Sequence, residues 1–360
     1  MNRILLIDDE TPENLDAVKT LLSSVLEQEI IILHPYQFNE LDVISEGAEK
    51  GDLDGAIIDL RLDQIVNKAG EKANYRGITL ANEIRSRQMS DDIKGIPLFL
   101  LTTADKIKNY EQSIDSLINL FDFYFKKDNL PDDHQKVASI IQSIIHAYKN
   151  LSKEKDQCLG GEVKRIGVHS EITDVIGGKM PKHQRVQFIL RELILKSGPL
   201  ISESVLAARL GVDFKNSDDW SNLKKTFLLE CGYSGLFSSH WNRWWSELIQ
   251  KWWDQISEIK TPLQLATASE RVEIIKNSTG LDNLNPIEKG ENNSTKFWAV
   301  CKKLEIAIDP IEGFRSNQTN NYLWQEQEYY SLQALREFHE ELIPFIHPLE
   351  RTMAWDALNG

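Results

Sequence analysis

Five short apolar runs lie in the first 130 residues, four of them stopping at a residue able to do chemistry, and this pattern constrains the fold more than any other feature. Arg3–Ile7 runs into Asp8, Asp9 and Glu10; Ile30–Leu33 follows; Gly55–Ile58 ends at Asp59; Leu98–Leu101 ends at Thr102 and Thr103; Phe123–Phe125 ends at Lys126 and Lys127. Runs this short and this uniformly apolar read as strands buried on both faces. Between them the apolar spacing is helical. Leu15, Val18, Leu21, Leu22 and Val25 follow a Thr11-Pro12-Glu13 start; 77–87 is a further helical stretch containing Ile84; Ile140, Ile141, Ile144, Ile145 and Tyr148 mark a closing helix. Alternation of this kind predicts a parallel sheet with helices on both faces, whose ligands bind at the carboxyl ends of the strands. Asp8, Asp9, Asp59, Thr102 and Lys127 would converge there.

Carboxylates brought together repel and call for a cation. Hard oxygen donors with room for water suit Mg²⁺. A carboxylate beside such an ion can attack a phosphoryl group to give an acyl phosphate, with Lys and Thr holding phosphoryl oxygens.

With Asp8-Asp9, Asp59, Thr102 and Lys127 in this order, and Tyr124 three residues before the lysine, residues 1–150 resemble the receiver domain of two-component response regulators. The resemblance implies a doubly wound α/β fold, a five-stranded parallel sheet of order 2-1-3-4-5. It implies Asp59 as phosphoacceptor, Asp8, Asp9 and Asp59 as Mg²⁺ ligands helped by the backbone carbonyl of Arg61, Thr102 and Lys127 on the phosphoryl group, and Thr102 and Tyr124 as the switch pair. It further implies a histidine kinase or phosphotransfer protein as donor. The face made by the helix before the fifth strand, that strand and the closing helix would bind, release or dimerise. The sequence departs from the family at three places. Asp63 and Asp128 stand where the family often has proline, and the stretch from Asp59 to Gly77 is longer than usual by about ten residues. That extra segment, 63–76, reads either as a tolerated surface insertion or as a lid or partner-recognition loop over the phosphorylation site that alters phosphoryl lifetime. Thr103 is also bulkier than the small residue often found there.

The rest of the chain is differently composed. All nine Trp lie at or after Trp220, and the net charge of -14 divides into -10 for residues 1–150 (26 acidic, 16 basic) and -4 for the remainder (29 acidic, 25 basic). That balance argues against a basic nucleic-acid coat or a polybasic membrane anchor. The three cysteines, Cys158, Cys231 and Cys301, are too far apart for a zinc ribbon or a disulfide framework. With no apolar stretch near the ~20 residues of a membrane span and no signal-peptide pattern, a cytoplasmic location is expected.

Residues 151–180, with two Gly-Gly pairs, read as a connector, and 181–360 as a mainly α-helical output domain. Within it 182–232 has a helix-turn-helix character: Gln184–Lys196, then Ser202–Leu210 closed by Gly211, then a helix over 219–230 that would offer Asn222, Lys224 and Lys225 to DNA. Residues 179–252 carry 11 basic and 7 acidic side chains, in keeping with that option. Trp241, Trp245, Leu248 and Trp252 fall on one face of a helix drawn through 241–253, a pattern of core packing or of a partner-binding face. Phe297–Ile308 is strand or short helix, and Trp324–Leu342 reads as helical. His residues are scattered, and neither a nucleophile elbow nor a P-loop is present. The reading is therefore a signalling switch and not an enzyme, acting through a protein partner of its second half, with DNA-binding regulation as the alternative.

Overall fold

The computed structural model describes residues 3–67, 70–103, 119–161, 163–257, 261–290, 293–318 and 321–359. The chain forms two compact units. One comprises Met1–Cys158 with Asp174–Ile189, the other Leu159–Thr173 with Leu190–Gly360. The stretch 151–180 is thus divided between them.

In the first unit the strands are β1 (Arg3–Ile7), β2 (Glu29–Leu33), β3 (Leu53–Asp59), β4 (Leu98–Thr102) and β5 (Phe123–Lys126). All are parallel, in the order β2-β1-β3-β4-β5. Helices α1 (Pro12–Ser23), α2 (Asn39–Lys50), α3 (Gly77–Met89) and the closing α4 (Leu130–Asn150) cover it. The two-residue period of a strand splits each apolar run between the faces. Leu5, Ile7, Ala56, Ile58, Leu98 and Leu100 pack in one core with Leu41 and Ile44 of α2 and Leu80, Ala81 and Ile84 of α3. Ile4, Leu6, Ile57 and Phe99 are buried on the other side. There α1 and α4 pack together, and Ile140, Ile141, Ile144, Ile145 and Tyr148 are all buried.

The segment between β3 and α3 is no loose excursion. Leu60, Leu62, Ala73 and Tyr75 belong to the α2–α3 core. The Tyr75 ring stacks on Phe38 at 3.8 Å, and its hydroxyl donates to the fully buried Glu40 at 2.8 Å. Helix α3 can start hard against the end of β3 only because residue 77 is glycine: a Cβ there would stand 2.0 Å from the Asp59 carbonyl oxygen.

The N-terminal end of the sheet holds a buried ionic network. Asp122, just before β5, accepts from Arg85 Nη2, from the Leu98 backbone N–H (both 2.8 Å) and from the Tyr148 hydroxyl (2.9 Å). Arg85 also donates to the Leu120 and Ile96 carbonyls. His183, in the helix Lys182–Phe188, is buried, and no described residue bonds its Nδ1. Burial, with Arg85 adding to it, pushes this imidazole down to about 4.

Further along come α5 (Lys155–Leu159), α6 (Val163–Ile166), α7 (Ser170–Gly177) and α8 (Lys182–Phe188), the last running on into a π-helical stretch, Ile189–Ile194. The second unit is mainly helical, with α9 (Glu203–Leu210), α10 (Trp220–Asn222), α11 (Ser246–Ile256), α12 (Ala268–Thr279), α13 (Leu332–Leu342) and α14 (Arg351–Asn359). Three two-stranded ribbons accompany them. Ser202 caps α9 by accepting from the Val205 N–H, and Gly211 ends it in the left-handed region at φ +70°. The fully buried Arg271 of α12 donates to the carbonyls of Ala208, Arg209 and Phe297, satisfying the last turn of α9.

Several sequence expectations change here. Residues 241–245 are not helical: Trp244–Trp245 forms β7, paired antiparallel with β6 (Leu200–Ile201), and α11 starts at Ser246. The buried face is therefore Trp245, Leu248, Ile249 and Trp253, with Trp252 only half-buried. The expected helix over 219–230 is three short pieces, with a π turn at Leu223–Phe227 between α10 and a 3-10 turn at Leu229–Cys231. Phe297–Ile308 contains the hairpin of β8 (Ala299–Val300) and β9 (Ala307–Ile308). The helix expected from Trp324 begins only at Leu332, because Tyr329–Tyr330 is β11, paired with β10 (Phe314–Arg315). Among the described residues no helix is long and apolar enough to cross a membrane.

Candidate functional site

Strand register carries the chemistry to one edge. Ile7 is level with Ile58, Asp59 with Leu101, and Thr102 with Lys126. Asp8 and Asp59 are therefore level, with Thr102 one step and Lys127 two steps further along, across β1, β3, β4 and β5. Asp8, Asp9, Asp59 and Thr102 are at most 2% exposed.

Lys127 joins two of the acids. Its ammonium lies 2.7 Å from Asp8 Oδ2 and 2.9 Å from Asp59 Oδ1. Asp8 also accepts from the Glu10 N–H at 3.0 Å, and Asp59 Oδ2 accepts from the Arg61 N–H at 2.8 Å. Burial, and then the charge on Asp59, push the Asp8 carboxyl up to about 6 although Lys127 pulls the other way. Burial alone would lower the Lys127 ammonium, but Asp8 and Asp59 together hold it above its ordinary value. The buried Thr102 hydroxyl has no hydrogen-bond partner among the described residues. Buried hydroxyls are ordinarily hydrogen-bonded, so this one is able to take a partner.

Asp9 is placed differently. Its Oδ2 accepts from the backbone N–H groups of Gln64 and Ile65, at 2.6 and 2.7 Å. Neither amide was legible as a site feature, since main-chain donors leave no mark in a sequence. Asp63 pairs with the Arg61 guanidinium at 2.7 Å, which lowers its carboxyl.

The donor types suit a hard dication, but their arrangement does not form a cage for one. Lys127 spans Asp8 and Asp59, Asp9 is engaged by two amides, and no group of three or more His, Cys, Asp or Glu side chains among the described residues is gathered to hold a metal ion.

Tyr124 is half exposed on β5. Most of the helix expected before β5, residues 104–118, lies outside the described residues, so the dimerisation face expected there is represented by β5 and α4. In the second unit Asn222 and Lys225 are exposed, but Lys224 is not on offer to DNA. It is paired with Glu203 and lies over the rings of Trp220 and Trp244, at 5.6 and 5.8 Å.

No family model matches the chain, and no curated protein matches it. Among solved structures, the chain is similar to a response regulator receiver domain protein from Clostridium thermocellum (20% identity, 42% of this chain, all of that one, TM-score 0.31). It is also similar to the N-terminal signal receiver domain of a two-component system response regulator from Bacteroides fragilis (18%, 39% of this chain, 95% of that one, TM-score 0.26). A third is a response regulator protein from Thermotoga maritima in complex with Mg(2+)-BeF (23%, 38% of this chain, 96% of that one, TM-score 0.25). These neighbours are receiver domains matched by about two-fifths of the chain.

Proposed function

We propose that this protein is a response regulator whose first unit accepts a phosphoryl group on Asp59 from a histidine kinase or phosphotransfer protein. One observation carries the reading: the Lys127 ammonium is held between Asp8 and Asp59, on the same sheet edge as the buried Thr102 hydroxyl, which has no partner among the described residues. An Asp59 carboxylate oxygen attacks phosphorus, the bond from phosphorus to the donor's leaving atom breaks, and that atom takes up a proton. Lys127 then follows the new negative charge onto the phosphoryl oxygens, and the Thr102 hydroxyl donates to one of them. Both movements rearrange the ends of β4 and β5, and Tyr124 shares the latter strand. Switching of this kind is a local charge change read out by a bistable element. Mg²⁺ on Asp8, Asp9, Asp59 and the Arg61 carbonyl belongs to the proposal only with Asp9 released from its present partners.

The output is proposed to be protein interaction by the helical, Trp-rich second unit. Its Trp245 and Trp253 are spent on the core, whereas Leu349, Met353 and Trp355 near the end of the chain are exposed, the type of surface that a partner covers. Exposure of the full chain to acetyl phosphate with Mg²⁺ is expected to add one labile phosphoryl group. Asp59→Asn is expected to prevent it, and unchanged labelling of that variant would overturn the assignment.

A further inference from the structure

The segment between β3 and α3 is fixed at both ends. Leu62, Ala73 and Tyr75 are in the core, Asp63 is tied to Arg61, Tyr75 is bonded to Glu40, and Asn67 and Glu71 close a turn through main-chain and side-chain bonds of 2.7–3.0 Å. At its start two successive N–H groups point at one buried carboxylate oxygen, Asp9 Oδ2. Two amides on a carboxylate form a charge-assisted pair, stronger than neutral hydrogen bonds and strongest where water is excluded. They compete with a cation for that oxygen.

We propose that this segment is a built-in competitor for a divalent cation: the Gln64 and Ile65 amides latch Asp9, and a cation at Asp8, Asp9 and Asp59 binds only as the latch opens. The inference rests on the reading of this edge as a phosphoacceptor site and adds a control to it. With the latch closed, three carboxylates share one ammonium and four main-chain amides, those of Glu10, Arg61, Gln64 and Ile65, and Lys127 takes the position between Asp8 and Asp59. With it open, Asp9 can turn both oxygens to an ion. Cation loading of Asp59's surroundings is thereby coupled to the inserted segment, so whatever binds that segment tunes phosphoryl acceptance.

The test uses the full chain. Mg²⁺ is titrated while the backbone amide resonances of Gln64 and Ile65 are followed, and Mn²⁺ binding is counted by electron paramagnetic resonance. In the wild type both amide resonances are expected to move upfield, with the midpoint at which Mg²⁺ displaces Mn²⁺. Gln64→Pro and Ile65→Pro each remove one donor and are expected to bind Mn²⁺ about tenfold more tightly, equivalent to ~1.4 kcal/mol. Ion binding with both resonances unmoved would overturn the latch, as would folded Pro variants of unchanged affinity. Binding that is absent in the wild type and present in the variants supports it; absence in both overturns it. Should a variant not fold, the wild-type titration decides. Acetyl phosphate labelling is run in parallel: labelled Asp59 with unmoved amides refutes only the latch, whereas unlabelled Asp59 in wild type and variants refutes the phosphoacceptor reading itself.

Discussion

The parallel sheet has a buried charged cluster at each end, built on opposite plans. At the N-terminal end one carboxylate, Asp122, meets one guanidinium, Arg85, with the Tyr148 hydroxyl and the Leu98 amide completing it. At the C-terminal end Asp8 and Asp59 share a single ammonium, and Thr102 is left without a partner among the described residues. The first cluster is neutral and closed, as expected of a structural ion pair. The second is over-charged and open, with Asp8 pushed up to about 6 by burial and by Asp59. Burial alone therefore does not separate a structural ion pair from a reactive one; what separates them is whether the charges and hydrogen bonds close on themselves.

Breaking the closed cluster has the largest expected effect. Arg85→Met leaves Asp122 buried without its charge partner and is expected to cost ~3–5 kcal/mol, read as a lowered denaturation midpoint. Asp59→Asn, at the open end, removes repulsion as well as a partner. It is expected to alter stability by no more than ~1 kcal/mol while abolishing labelling. A loss at Asp59→Asn as large as at Arg85→Met would erase the distinction.

Gly77→Ala comes next. Its methyl group collides with the Asp59 carbonyl, so ~1–3 kcal/mol of destabilisation is expected, together with slower labelling as the end of β3 shifts. Stability equal to wild type would show that α3 can retreat from β3 without penalty.

A pH effect sharpens the comparison from the closed end. His183 titrates at about 4 when folded, against 6.5 for an ordinary imidazole. Its folded value is the lower one, so the unfolded chain takes up the proton first. Stability is full above about 6.5 and is lost as pH falls toward 4, by up to ~3 kcal/mol. His183→Gln is expected to flatten that slope in urea denaturation measured between pH 7 and 4; an unchanged slope would assign it elsewhere.

How much of this was legible in the sequence depended on periodicity. Apolar runs ending in Asp59, Thr102 and Lys127 betray strand ends, so the sheet and its reactive edge could be read directly. The segment 63–76 could not. Leu62, Ala73 and Tyr75 are single apolar residues in polar surroundings, and no period marks them as anchors. Arg85, Asp122 and Tyr148 lie far apart in the chain and meet only across the fold. In the second unit, spacing misled. Trp241, Trp245 and Trp252 fit a helical stripe, but pairing of Trp245 with Leu200 and of the Tyr233 N–H with the Arg243 carbonyl draws 241–245 out of the helix. Lys224 looked like a groove-reading cation because its Glu203 and Trp partners come from other elements.

The most direct measurement is the identity of the phosphorylated residue. Full-length protein treated with acetyl phosphate and then borohydride converts an aspartyl phosphate to homoserine, which peptide mass spectrometry locates. Homoserine at position 59 alone is the expected result. Homoserine at position 8 or 9, or none in protein shown to be folded, would contradict the assignment of Asp59 as the acceptor.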